Sequence, residues 1–151
     1  MSHDPLGAQR EIVEEFSLFS DWLDRYQYLI DLGRKLPPLD AAELVDANLL
    51  EGCQSRVWLL IDGDADALRV RANSDAAIVS GLIALLIRTY SGASARDILD
   101  TAPFFIRDLG LEQHLSPTRA NGLHAMLGAI RAAAARALAG ATADEAGTRQ
   151  K

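Results

Sequence analysis

The chain has 151 residues, 49% of them hydrophobic and 24% charged, with a formal net charge of -6 and one cysteine. That length and apolar fraction suit one globular domain with one core and exclude intrinsic disorder. The acidic balance supplies no global field for nucleic acid or an anionic membrane. The lone cysteine excludes an intrachain disulfide, a CxxC redox pair and a thiolate-rich metal site.

The domain is expected to occupy residues 1–140. A frayed or disordered tail is expected over 141–151, which lacks any large apolar residue. The start, Met1-Ser2-His3-Asp4-Pro5, has neither the basic residues nor the apolar stretch of a secretory signal. The longest mainly apolar run, Ala76 to Ile87, falls short of the roughly 20 residues that cross a bilayer. A cytoplasmic protein without membrane or nucleic-acid partners is the expectation.

Ile12, Phe16, Phe19, Leu23, Tyr26 and Ile30 alternate steps of four and three, which places them on one helical face. Ser20-Asp21 is a cap signal inside that run, so two helices are predicted, over about 6–19 and 21–35. Pro37-Pro38 stops the second, and Asp40 caps a helical turn through Leu44.

The pattern then becomes strand-like. Val57 to Ile61 is rich in β-formers and leads into Asp62-Gly63-Asp64, a hairpin turn signal. Leu68, Val70 and Ala72 alternate with Arg69 and Arg71, as in a strand with one buried face. Leu49-Leu50 could supply a short third strand, because a lone hairpin is barely stable. Trp58 reads as a core residue.

Helical signals return after Asn73. Ser74 or Asp75 caps a helix carrying Ile78, Val79, Leu82, Ile83, Leu86 and Tyr90, ended by Gly92. Ser94 to Asp97 has capping-box spacing, and a further short helix runs from Pro103 to Gly110. Ser116-Pro117 starts a long helix, buried along Leu123, Leu127, Ile130 and Ala134 and stopped by Gly140. Helices, a small antiparallel sheet and more helices make an α+β fold.

Candidate chemistry centres on Cys53 in Glu51-Gly52-Cys53-Gln54-Ser55-Arg56, a polar break between apolar stretches. A buried structural cysteine is the bland reading, while the polar neighbours and Gly52 describe a loop that another molecule can approach. Arg56 favours the thiolate and Glu51 opposes it. A hydrolase would need a histidine base, yet no motif ties His114 or His124 to Cys53, and His3 sits near the chain start. A persulfide on Cys53 would have no second thiol in the chain to discharge it, which permits a carrier role. Metal spacing and phosphate-binding glycine loops are missing. Asp62, Asp64 and Asp66 lack the glycine and glutamate that complete a calcium loop.

Four ordered segments resemble the SufE family of sulfur acceptors: Leu32-Gly33-Arg34-Lys35-Leu36-Pro37, Gly52 to Trp58, Asp75 to Leu86, and His114 to Met126. Together they span most of residues 12–138. The resemblance implies a SufE/NifU-like fold with an antiparallel sheet flanked by N-terminal and C-terminal helices. It implies that Cys53 accepts persulfide sulfur from a pyridoxal-phosphate-dependent cysteine desulfurase, stimulates that enzyme, and passes sulfur to an iron-sulfur scaffold complex. The chain itself would carry no cofactor or metal, have no independent turnover, and be a monomer or homodimer. Asp75 and Arg119 match polar family positions and are candidate supports for Cys53, with a helix cap and a surface arginine as their plain structural readings. Gly52, Gln54, Ser55 and Arg56 are the candidate loop and partner contacts. Ser80 stands where lysine is common before Gly81, a departure that bears on partner docking. A paralogous carrier feeding another sulfur-transfer pathway, a Cys-His thiol enzyme and a plain interaction module remain as alternatives.

Overall fold

In the computed structural model, described over residues 3–149 for the backbone and 3–141 for side chains, the chain is α+β. Helix α1 (Pro5–Phe16) starts one residue before the predicted limit: Asp4 accepts a hydrogen bond from Leu6 N, and Pro5 occupies the first helical position. It ends at Phe16, three residues before the predicted limit. Helix α2 (Trp22–Arg34) is capped by Asp21, which accepts from Leu23 N at 2.9 Å.

The break between these helices resets the helical phase, and this corrects the single apolar face drawn from Ile12 to Ile30. Ile12 and Phe16 are buried, but Leu23 is 75% exposed, and Leu29 and Gly33 turn inward instead. Helix α2 packs along helix α3 (Ala77–Tyr90), where two glycines allow close backbone approach. A β-carbon on Gly33 would stand 2.7 Å from the backbone nitrogen of Gly81.

Strands β1 (Val57–Asp64) and β2 (Ala67–Ser74) form an antiparallel hairpin. Asp62, Gly63 and Asp64 belong to β1, so the turn is Ala65-Asp66, two residues beyond the predicted position. Asp64 carries the turn signal through its side chain, which accepts from Asp66 N at 2.9 Å and Ala67 N at 3.3 Å. Leu49 makes an isolated bridge to Trp58 and does not extend into a third strand. Sufficient support for the hairpin comes from α3 and the long helix α7 (Pro117–Arg149), which both pack against it.

Register sets the faces. Leu59 pairs with Ala72 and Ile61 with Val70, and these four contribute to the core. Trp58 has the opposite parity. It is half-buried and lies outside the core cluster, which corrects the core reading.

Neither Ser74 nor Asp75 caps α3; the N-cap is Ala76, without a side-chain hydrogen bond. Ser74 Oγ instead accepts from Ala76 N, and Asp75 serves the loop described below. Ser94 does cap α4 (Ala95–Asp100), accepting from Asp97 N at 3.1 Å. Two short helices follow, α5 (Phe105–Asp108) and α6 (Leu111–His114), joined through Gly110.

Ser116 Oγ accepts from Arg119 N at the start of α7, as the Ser-Pro signal predicts. Leu123, Ile130 and Ala134 of α7 are buried, with Leu127 partly so. Gly140 does not end this helix. A β-carbon there would meet nothing within 4 Å, and the alanine-rich flanks carry the helix through a residue that costs about 1 kcal/mol relative to alanine. Of the tail expected to fray over 141–151, residues 141–149 have a helical backbone, while residues 150–151 and the side chains beyond Ala141 lie outside the described residues. No described helix is long and apolar enough to cross a membrane.

Candidate functional site at Cys53

The loop carrying Cys53 leaves Leu50 and re-enters the sheet at Val57, and its neck is closed by Leu50 N donating to Val57 O at 2.9 Å. Its far end is latched twice. Arg56 N donates to Asp75 Oδ1 at 3.1 Å, and Asp75 N donates to Arg56 O at 3.3 Å. These bonds fix both ends and leave residues 51–55 as a short span between them.

Gly52 makes the required bend with φ of +90°, a conformation that side chains disfavour. A β-carbon there would also stand 3.3 Å from that of Ala125 on α7. The bend brings Cys53 onto the second turn of α7, where Sγ lies 3.8 Å from the carbonyl oxygen of Gly122. That separation matches a weak S–H donor over a backbone acceptor.

Cys53 is half-buried and packs against the core. A small cavity of about 20 Å³ adjoins it, lined on the loop side by Gln54 and Ser55. Val79 of α3 and Thr118, Arg119, Gly122, Leu123 and Met126 of α7 complete the wall. The space is on the order of one water-sized sphere. Burial pushes the thiol pKa up, because removing water penalises the thiolate, so Cys53 rests in its protonated form at neutral pH.

The residues singled out from the sequence therefore take distinct places. Gln54, Ser55 and Arg119 line the pocket with Cys53. Gly52 shapes the loop, while Arg56 is exposed and holds it through its backbone. Asp75 is not in the pocket; its carboxylate braces the loop end and caps no helix.

Gly122 is absent from the sequence-derived candidates, although it carries a signal. Glycine inside an apolar helix costs about 1 kcal/mol relative to alanine, and such a residue often marks close approach by another chain segment. A β-carbon at Gly122 would sit 3.7 Å from Cys53 Sγ.

None of the three histidines lines this pocket. His114 Nδ1 is 2.9 Å from Gly110 O, and its ring stacks on Trp22 at 3.8 Å between centroids. His124 Nε2 is 2.8 Å from Glu112 Oε1, and His3 Nε2 is 3.0 Å from Thr89 O. The histidine base that a Cys-His enzyme requires is not beside the thiol. Among the described residues no group of three or more His, Cys, Asp or Glu is arranged to hold a metal ion.

Residues 10–134 match the SufE family, described as an Fe-S metabolism associated domain. Among solved structures, the fold is similar to the solution structure of a hypothetical protein from Thermus thermophilus, with a TM-score of 0.71 and 27% sequence identity. That similarity covers 87% of this chain and 96% of the other. With the match spanning more than half of its length, this chain belongs to the SufE family and is associated with Fe-S metabolism.

Proposed function

We propose that this protein is a sulfur acceptor and carrier, in which Cys53 takes persulfide sulfur from a pyridoxal-phosphate-dependent cysteine desulfurase. The observation that carries the reading is the placement of the chain's sole thiol. It is half-buried on a glycine-bent loop with about one atom's worth of free space beside it.

The transfer needs no outside oxidant. The Cys53 thiolate attacks the outer sulfur of the desulfurase persulfide, forming a new S–S bond as the old one breaks. The desulfurase cysteine leaves as a thiolate and takes up the proton released from Cys53. Sulfur thus moves without net change in oxidation level, and the desulfurase is freed for another turnover.

The raised pKa places a requirement on the first step. At rest the nucleophile is the minor species, so reaction depends on the loop leaving α7 or on a partner supplying a more polar surround. The latch at Asp75 and the bend at Gly52 confine that movement to the short span between them. Once loaded, the span returns the outer sulfur to the space beside Gly122 and Met126, away from bulk oxidants. With no second thiol in the chain, the sulfur leaves only to an acceptor on another molecule, for which an iron-sulfur scaffold complex is the proposed recipient.

Stimulation of a cysteine desulfurase by the wild-type chain tests this reading. Cys53→Ser is expected to abolish the stimulation while retaining the wild-type melting temperature. Stimulation that survives the substitution would contradict a sulfur-accepting role for Cys53.

A further inference from the structure

A second cavity opens beside β2 and shares no lining residue with the Cys53 pocket. It holds about 330 Å³, within the range of roughly 300–1,000 Å³ that accommodates small molecules. Its lining includes the segment Pro37-Pro38-Leu39 and Ile87 of α3. Asn73 holds that segment in place: its Nδ2 donates to Pro37 O at 3.2 Å, and its Oδ1 accepts from Leu39 N at 2.8 Å. Proline rigidity and this clamp keep the wall from collapsing onto the sheet.

The charge of the lining is distinctive. In a chain with net charge -6, this cavity is lined by two arginines and no acidic residue. Arg71 is already engaged, with Glu43 at 2.7 Å and Asp62 at 3.4 Å, and neither acid lines the cavity. Arg69 is exposed and, beyond a longer-range attraction to Glu43, takes part in no salt bridge or side-chain hydrogen bond among the described residues. It is the cation without a directly bonded partner at a largely apolar cavity.

We infer that this cavity binds a small organic anion, with its carboxylate against Arg69 and a compact apolar body against Pro37, Leu39 and Ile87. A carboxylate gains a charge-assisted hydrogen bond from Arg69 that a neutral ligand cannot make, and a bare inorganic anion would leave the apolar walls wet.

The test is a titration of the isotope-labelled full chain with 4-methylpentanoate, followed by amide NMR. Parallel titrations use 4-methylpentanamide, which lacks the charge, and acetate, which lacks the body. Saturable shifts are expected at Val70, Arg71, Ala72 and Ser91, with the amide and acetate each binding about fivefold or more weakly. Arg69→Gln should weaken the carboxylate about fivefold and leave the amide unchanged, whereas Arg69→Lys should retain the preference for the carboxylate. Unchanged melting temperatures of both variants separate lost binding from lost fold. Absence of saturable shifts, shifts centred on the Cys53 loop, or equal binding of carboxylate and amide would overturn the inference.

Discussion

The thiol of Cys53 faces the backbone of Gly122, with 3.8 Å between Sγ and the carbonyl oxygen and no side chain on the helix to separate them. A missing β-carbon thus becomes part of the Cys53 pocket. Gly122→Ala places a methyl group 3.7 Å from Sγ, an ordinary contact for the resting thiol. The substitution should raise helix stability by up to about 1 kcal/mol. It should also slow persulfide accumulation, since the methyl takes space needed by a second sulfur. Thermal melting and time-resolved intact mass measure the two effects separately, and equal loading rates would show that the space is not used.

The side chain of Asp75 acts on the loop through one acceptor atom, while its backbone bond to Arg56 O survives loss of that side chain. Asp75→Ala leaves Arg56 N without its side-chain partner, at a cost of about 1 kcal/mol, and should accelerate alkylation of Cys53 by iodoacetamide. Asp75→Asn retains an acceptor at the same place and should restore much of the protection. If both variants react at the wild-type rate, the latch does not control access.

Burial of Cys53 has a defined pH consequence. Its folded pKa is raised above the unfolded value, so its contribution to stability is fully present below the unfolded thiol pKa. It is lost as pH rises through the folded pKa. Alkylation of the folded protein should therefore begin at higher pH than alkylation of the urea-unfolded chain. Coincident pH profiles for the two states would contradict the shift.

At the other end of the pH scale, Glu15 receives a two-nitrogen contact from Arg88 and a hydrogen bond from Tyr28 OH at 2.5 Å, joining α1, α2 and α3. The hydrogen bond from Arg88 holds its carboxyl below the usual range, against a smaller opposing effect of burial. This contribution is present above the unfolded carboxyl pKa and is lost as pH falls through the folded one. The pair is about one-third exposed, so solvent screens much of it. Glu15→Gln should lower stability near neutrality and flatten its decline between about pH 5 and 3, as followed by urea melts at each pH.

The crossing of α2 and α3 gives a purely structural prediction. A methyl group on Gly33 would stand 2.7 Å from both Gly81 N and Ser80 Cβ, so the helices must separate. Gly33→Ala should destabilise by roughly 1–3 kcal/mol through overpacking, measured by denaturant unfolding.

Much of this fold is legible in local chemistry. Asp21, Ser94 and Ser116 all cap where their spacing places them, because an N-cap depends on a few neighbouring residues. Leu68, Val70 and Ala72 face inward as their alternation indicates. What escapes local reading depends on contacts distant in sequence. Leu23 follows the helical period of α1 but lies on a helix with a new phase, while Asp75 sits before a helix yet bonds a loop residue 19 positions earlier.

The candidate site divides in the same way. Cys53, Gln54 and Ser55 stand together in sequence and in the pocket, and the family motifs name Arg119 as well. Gly122, Thr118 and Met126 fall within the segment His114 to Met126, but they join the pocket because α7 passes beneath the loop. Their side chains, or the lack of one, carry no reactive signature that composition could reveal.

Transferred sulfur is expected to reside on Cys53. Its most direct measurement is the intact mass of the protein after incubation with a cysteine desulfurase and cysteine, with Cys53→Ser alongside. The wild-type chain is expected to gain one sulfur atom, mapped to Cys53, removed by reductant and absent from the variant. No gain with a desulfurase that forms its own persulfide under the same conditions, or an equal gain on Cys53→Ser, would contradict it.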